Sequence, residues 1–563
     1  MAKPGHSYPQ VVPRAEDLMH ARVVTVPCAW SVDRALVRAR AAGAVVVAHA
    51  KAVARTADLE RAAAWGLGRL PWTDVASTGV PAVSRSTDEI TVRRLLRGRA
   101  SMALVRERGR VVGAIDAPPR PHGSLTSRLE RPHGAQGEAR LWLLRTAGKL
   151  GEAQGHAVYA AGGFVRDLLL GRAADHLPDI DLVIEGDSIA FGRRLAEEMG
   201  GHLVVHSAFG TASLEGGATP DGTRVGRVDI AMARRERYAR AGALPEVSPA
   251  GIDEDLGRRD FSVNAMAVAL SPSAWGRLHD PFGGADDVAA RRLRVLHPLS
   301  FVEDPTRIWR GARYAARLGL RPDSGFKRAL ALALAVGEYP ALSGQRLRAE
   351  HALVMDESEP WRALALLLGW GAFRLWDPSY RVTLQGRARL ASARLFLRWA
   401  RDAHIAVDGA ELALLALLLD QSRPVADRCV RRLTIATGMA VRIDAAAAHA
   451  LARRLASLRP RLPSHVAEVL RPAGESLVLG AWLAGEGKAR GHIEWFLGEG
   501  RAERPLLSGD EVVAAGVSRG PLVGQVMARL RDLRLDGRVR TIEEERAAVA
   551  EWMQGLATKG DLG

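Results

Sequence analysis

Cysteine is almost absent from this 563-residue chain: there are two, Cys28 and Cys429. That excludes a disulfide framework and a zinc site built on four thiolates. Long apolar runs are also missing, and none approaches the roughly 18–20 residues needed to span a bilayer. The opening stretch, MAKPGHSYPQVVPRAEDL, has no apolar core of the kind a secretion signal requires. A cytoplasmic protein with no membrane association is therefore expected. Lysine is scarce as well, with six residues against seventy-three arginines. The length suggests about three to five domains. With 47% hydrophobic and 25% charged residues the composition is that of a globular chain. The net charge is +16 and the pI about 10.7. Arginine suits bidentate phosphate contacts and stacking on bases better than lysine does. The charge thus points either to a nucleic-acid or polyphosphate partner or to a solvated surface that is merely arginine-rich.

An internal repeat occupies the first 116 residues. A strand-like stretch at Val23-Val24-Thr25-Val26 leads to a helix-like Ser31–Val37, a strand Val45–Ala48 and a second strand at Val53. About 57 residues later the order returns, with Val83, Thr87–Val92, Ser101–Val105 and Val111–Asp116. The repeat resembles a pair of CBS motifs. Such pairs often bind an adenosine nucleotide, and Asp58 after Thr56 stands where that family commonly holds a ribose. The second copy lacks the Thr-x-Asp ending, so a module that only packs or dimerises is the competing reading. Residues 117–136, rich in Pro, Gly, Ser and Arg, read as a linker. A helix is expected at about 137–154. From about 157 to 300, β-rich runs alternate with helical ones: Val158–Ala160, Ile180–Ile184, His202–Val205 and Arg227–Ile230 read as strands. Beyond 300 the chain is rich in Ala, Leu and Arg and reads as helical, with segments 362–368 and 411–419 as buried helices.

Four clusters carry candidate chemistry. Gly162-Gly163-Phe164-Val165-Arg166-Asp167 follows a strand, where paired glycines let backbone N–H groups approach a phosphate and Arg166 can reach the same anion. In Asp179-Ile180-Asp181, strand alternation puts both carboxylates on one face. They repel unless a cation sits between them, and Mg²⁺ is the hard divalent ion that leaves positions open for triphosphate oxygens. A solvated edge-strand pair is the alternative. In the third cluster, 254–265, Arg259 suits a triphosphate, while Asp260 and Asn264 are spaced i, i+4 for one helical face. Asp229, near the end of another strand, is a neighbour candidate. In the fourth, Glu303, Arg307 and Arg310 fall on one helical face, with Asp304 and Arg307 as i, i+3 neighbours. A surface ion-pair ladder would give the same spacing. An Asp/Arg pair can also read both cytosine and adenine, because each base shows an amine donor beside a ring-nitrogen acceptor. Guanine and uracil reverse both bonds, and a mispaired buried site rejects strongly.

With these clusters, and with Leu278–Gly284 and Leu296–Phe301 between them, residues 157–320 resemble the class II tRNA nucleotidyltransferase and bacterial poly(A) polymerase family. The resemblance implies a multidomain chain, α/β plus all-α: a CBS pair at 1–116, a polymerase-β-like nucleotidyltransferase palm at 137–300, a helical neck at 301–375 and a helical body and tail at 376–563. It implies catalytic metal ligation by Asp179 and Asp181, and nucleotide contacts from Gly162, Gly163, Arg166, Arg259, Asp260 and Asn264. It further implies base reading by Asp304 and Arg307, with Arg310 and Arg313 in support. The expected partners are CTP, ATP and the acceptor arm of tRNA, with Mg²⁺ as cofactor and an adenosine nucleotide as candidate ligand of the CBS pair. The segment 233–247 resembles the flexible loop that family members need for the final A. The expected activity is addition of C and/or A to the tRNA 3′ end. A poly(A) polymerase and a non-catalytic RNA-binding nucleotide sensor are the alternatives.

Overall fold

Small and β-branched residues in short runs, separated by capped helices, give the N-terminal half of the computed structural model its sheets. The structure describes residues 13–20, 22–50, 52–96, 102–117, 123–131, 134–171, 180–206, 210–434, 444–459 and 462–560. The chain divides into two compact units, Met1–Arg346 and Leu347–Gly563.

The first unit begins with a module in which the predicted repeat takes physical form. Helix α1 (Ala15–Leu18) precedes strand β1 (Val23–Thr25), helix α2 (Val32–Ala41), strands β2 (Val46–His49) and β3 (Ala52–Arg55), helix α3 (Thr56–Ala64) and strand β4 (Ser77–Thr78). Strand β5 (Ala82–Ser84), helix α4 (Glu89–Leu96) and strands β6 (Met102–Glu107) and β7 (Arg110–Asp116) follow. In both copies the first strand pairs parallel with the second, and the second antiparallel with the third. Ser31 caps α2 by accepting from the Arg34 N–H at 3.3 Å. Val46, Ala48 and Val53 from one sheet and Met102, Leu104 and Ala114 from the other share one core.

The largest sheet has eight strands. They are β8 (Gly123–Ser124), β9 (Ala157–Ala161), β10 (Ile180–Glu185), β11 (His202–His206), β12 (Thr211–Glu215), β13 (Val228–Met232), β16 (Ala267–Ala269) and β17 (Arg277–His279). Their order is β11-β12-β13-β10-β9-β16-β17-β8. All pairings are antiparallel except β10 with β13. Helices α6 (Gly134–Ala153), α7 (Gly163–Leu169) and α8 (Ser188–Met199) are interspersed with these strands, and a hairpin of β14 (Arg234–Arg237) and β15 (Glu246–Pro249) leads into α9 (Ile252–Gly257). A cluster of Tyr159, Ala161, Val183, Ile252, Leu256 and Ala267 fixes α9 to the sheet. The expected linker is partly built into this unit: Gly123–Ser124 closes the sheet edge against β17, and α5 (Thr126–Leu129) follows it. Its Gly/Ser composition reads as a spacer because the pairing partner lies about 150 residues away in sequence.

Asp280 accepts from the Gly284 and Ala285 N–H groups at 2.6 and 3.0 Å, which starts α10 (Gly284–Ala289). The expected single helix through the fourth cluster is instead two: α11 (Ser300–Glu303) and α12 (Arg307–Leu318). Asp304 sits between them in an extended conformation, φ −137° and ψ 96°. Pro305 is the cause, since a residue before proline is pushed out of the helical region. Helix α13 (Ser324–Val336) completes this part, and Phe261, Phe301 and Phe326 pack together beneath α12.

The second unit is helical throughout its described residues. Gly409–Leu418 carries one charged residue, Glu411 in its first turn, and the apolar remainder is enclosed, with Leu412, Leu415, Leu417 and Leu418 all buried. Pro360–Trp370 buries one face only, with Arg362 and Ala365 exposed. His351 is fully enclosed, edge-on to Trp376 at 5.5 Å, and burial pushes its imidazole down to about 4.

Candidate active site

The three strands at the centre of the eight-stranded sheet bring two of the clusters together. Asp181 of β10 lies beside Ala161 of β9 on one side and Asp229 of β13 on the other. Ala161 leads directly into Gly162-Gly163. In a parallel pair, registered residues share a face, so the carboxylates of Asp181 and Asp229 emerge side by side. Ile180 is buried behind, as strand alternation predicts. Asp179 lies outside the described residues. Asp229, which sequence reading left as a neighbour only, accepts from Ser213 Oγ at 2.6 Å and Arg227 Nε at 3.0 Å.

Gly162 has φ +70°, a conformation that favours glycine. A Cβ there would stand 2.7 Å from Arg259 Nη1 and 3.4 Å from Asp181 Oδ2. Arg259, Asp181 and the glycine turn therefore converge on one spot. Arg259 is aimed there by Asp255, whose Oδ2 accepts from Nη2 at 3.1 Å and Nε at 3.3 Å. Asp255 is completely buried and also receives Arg258 Nη2 at 2.7 Å. Burial would raise its pKa, but Arg259 and Arg258 outweigh that and hold the carboxyl below its ordinary value. Asp255 falls inside the third cluster, and its i, i+3 and i, i+4 spacing to the two arginines is the sequence signal for this role.

Residues of the first, third and fourth clusters join in one polar chain, buried except at its Arg310 end. Arg166 donates to both oxygens of Asp167, each at 2.9 Å, and from Nη1 to Asn264 Oδ1 at 2.7 Å. Asn264 Nδ2 donates to Asp260 Oδ1 at 3.0 Å, and Arg310 Nε donates to Asp260 Oδ2 at 2.7 Å. Burial would raise the Asp260 pKa, but Arg310 and the Asn264 bond keep it below its ordinary value. Asp260 and Asn264 do meet, yet not on an α-helix: the segment is a 3₁₀ turn, Ser262–Asn264. The Arg166 side chain is 4% exposed and paired with Asp167 and Asn264. In this arrangement it braces the third cluster. Arg313 is half-buried on α12, one turn past Arg310.

Asp304 and Arg307 sit close together but not as a simple ion pair. Arg307 is buried, with Nη1 on Ser300 Oγ at 2.9 Å and Nη2 on the Arg258 carbonyl at 2.9 Å. Its longer contacts are Tyr238 OH at 3.4 Å and Glu303 Oε2 at 3.5 Å. Asp304 Oδ1 accepts from Thr306 Oγ1 at 2.7 Å and Arg346 Nη2 at 2.8 Å. The segment 233–247 forms the β14–β15 hairpin, and its tip is docked here. The Gly242 N–H donates to the Glu303 carbonyl at 3.0 Å, and its carbonyl accepts from Arg346 Nη1 at 2.7 Å. Burial lifts the Tyr238 phenol well above its ordinary range.

Among the described residues, no group of three or more His, Cys, Asp or Glu is gathered as a metal site, and no helix is long and apolar enough to cross a membrane. The oxygen-only donor set of Asp181 and Asp229 nevertheless fits a hard divalent cation.

A sheet whose central strands offer paired carboxylates beside a glycine turn and an arginine defines a nucleotidyltransferase head. Residues 158–294 match the family model for the poly A polymerase head domain. The chain is 31% identical to the A-adding tRNA nucleotidyltransferase of Geobacter sulfurreducens over 72% of its own length and 46% of that protein's. It is 35% identical to the CC-adding tRNA nucleotidyltransferase of Deinococcus radiodurans, over 74% of this chain and 95% of that one. The chain therefore belongs to the tRNA nucleotidyltransferase family, although it spans about half or less of several curated relatives it matches. Among solved structures, a CCA-adding enzyme in an apo form superposes with a TM-score of 0.67 at 28% identity, over 77% of this chain and 99% of that one. The Thermotoga maritima CCA-adding enzyme complexed with tRNA gives 0.63 at 26% identity, over 77% and 100%.

Proposed function

We propose that this chain adds C and/or A to the 3′ end of tRNA, taking CTP and ATP as substrates, without a nucleic-acid template. The observation that carries the reading is the convergence of Asp181, Gly162 and Arg259 at one spot, with the Arg166–Asn264–Asp260–Arg310 chain bracing the turn beside it. Arg259 binds triphosphate oxygens, held in aim by Asp255. Asp179 and Asp181 hold Mg²⁺, which when bound supplies charge stabilisation to the reacting oxygens. Asp304 and Arg307 read the base edge, with Arg310 and Arg313 behind them. The enzyme's contribution is positioning and fixed charge rather than a covalent intermediate. Residues 137–300 act as palm, 301–375 as neck, and 376–563 as body and tail gripping the acceptor arm by its shape and phosphates, so binding weakens steeply with salt. The repeat at 1–116 is a CBS pair, supported by its twice-used strand pairing, with an adenosine nucleotide as candidate ligand, and the protein is cytoplasmic.

The test is incorporation of each NTP alone, and of both, into tRNA ending at the discriminator base, with the product ends sequenced. Asp181→Ala should abolish incorporation while leaving tRNA binding intact. Persisting incorporation would remove the metal assignment, and long A tails with no use of CTP would make the protein a poly(A) polymerase.

A further inference from the structure

We infer that Arg61, supplied by the N-terminal module, is a positioning residue for base selection: it occupies one oxygen of Glu303 and so keeps Arg307 only loosely tied to the other. The inference rests on the base-reading role proposed above for Arg307 and extends it to the group that sets how tightly that arginine is held.

Glu303 is 4% exposed and has three nitrogen-bearing neighbours, two arginines and a histidine. Arg61 Nη1 donates to Oε1 at 2.6 Å. His297 Nε2 lies 3.1 Å from Oε2, and Arg307 Nη1 lies 3.5 Å from the same oxygen. A charge-assisted bond of this kind settles at about 2.7–2.9 Å when nothing competes. The Arg307 contact is therefore slack, and the Arg61 contact is the tight one. Arg61 is itself oriented by Asp58, one turn earlier on α3, whose Oδ1 accepts from Nη2 at 2.5 Å. The same helix ends on a second tie, where Trp65 Nε1 donates to the Tyr238 carbonyl at 3.3 Å. Tyr238 is the residue whose hydroxyl meets Arg307 Nη2. One short helix of the N-terminal module thus touches both residues that flank Arg307, Glu303 at its carboxylate and Tyr238 at its backbone carbonyl.

The physical consequence follows from the shared carboxylate. A desolvated anion draws in whatever cation is within reach. With Oε1 satisfied by Arg61, Glu303 makes only a moderate demand on Arg307. Without Arg61, the buried charge has His297 and Arg307 alone, and Arg307 closes the gap. An arginine pulled onto Glu303 is less available to a ring nitrogen of the incoming base. The Arg61 side chain is 41% exposed, so this contact is open to solvent rather than sealed in a core. It borders a cavity of about 420 Å³ lined by Asp58, Arg61, Tyr238, His297 and Glu303 among others.

The experiment is steady-state incorporation of CTP and of ATP by the full chain, with tRNA in excess. Arg61→Ala should raise the KM for nucleotide roughly 3- to 10-fold with kcat within about twofold, and Arg61→Lys should recover much of the loss. In a Glu303→Gln background, Arg61→Ala should have no further effect, because the shared charge is gone. Asp58→Ala, which frees Arg61 without removing it, should give a smaller rise of the same kind. An unchanged KM in Arg61→Ala, a fall in kcat at constant KM, or an equal effect in the Glu303→Gln background would overturn the inference. Arg307→Ala is the separate check on the underlying reading. If that change leaves nucleotide choice and KM untouched, base reading by Arg307 is wrong whatever Arg61 does.

Discussion

Replacing Glu303 by Gln should cost about 3 kcal/mol of stability at pH 7, and the loss should fade on acidification. Burial alone would raise the Glu303 pKa, but His297, Arg307 and Arg61 together bring it down to about 2, against 4.5 for the free side chain. That difference is worth about 3 kcal/mol. Because the folded value is the lower one, the contribution is complete above pH 4.5 and falls away as the pH drops toward 2. By pH 3 about 2 kcal/mol of it should be gone. Removing one partner from a buried ion cluster has costs of the same size, about 3–5 kcal/mol. Urea unfolding of wild type and Glu303→Gln, followed by tryptophan fluorescence from pH 7 to pH 3, measures the gap directly. The two midpoints should converge as the solution becomes acidic. A gap that stays constant across that range would show that the ion cluster does not hold the carboxylate in its charged form.

Two further changes test other parts of the structure. Gly162→Ala forces a Cβ into a positive-φ position and to within 2.7 Å of Arg259 Nη1. It should cost about 1 kcal/mol or more in strain and lower incorporation at least tenfold by displacing Arg259, while tRNA affinity holds; wild-type incorporation would remove Arg259 from the site. His351→Leu should flatten acid sensitivity in the helical unit. Burial holds the folded imidazole at about 4 against 6.5 when unfolded, so the unfolded state binds the proton first and wild-type stability falls as pH drops from 6.5 to 4, by up to about 3 kcal/mol. Thermal midpoints at pH 7 and pH 4.5 read the difference, and an equal drop in both proteins would refute it.

What the sequence made legible was local. The predicted strands around Val158, Ile180, His202 and Val228 are all present, and so is the repeated strand–helix–strand–strand order at the N-terminus. Both are short-range patterns of apolar alternation and turns. What stayed illegible were contacts between distant parts of the chain. The pairing of Arg166 with Asn264 spans 98 residues, and Gly123–Ser124 reads as spacer because its partner strand β17 is more distant still. Asp229 could be placed beside Asp181 only once strand register was known. The helix break at Asp304 is different, since Pro305 announced it and the i, i+4, i+7 pattern of charges overrode that warning.

Strand β8 has a bearing on how this protein can be cut. Gly123–Ser124 belongs in sequence to the stretch after the repeat module, yet in space it shields the outer edge of β17. A shortened version starting at residue 137 would leave that edge with bare amide and carbonyl groups, an invitation to intermolecular strand pairing. A fragment meant to stay monomeric should therefore retain the chain from before residue 123, where sheet and spacer are the same polypeptide.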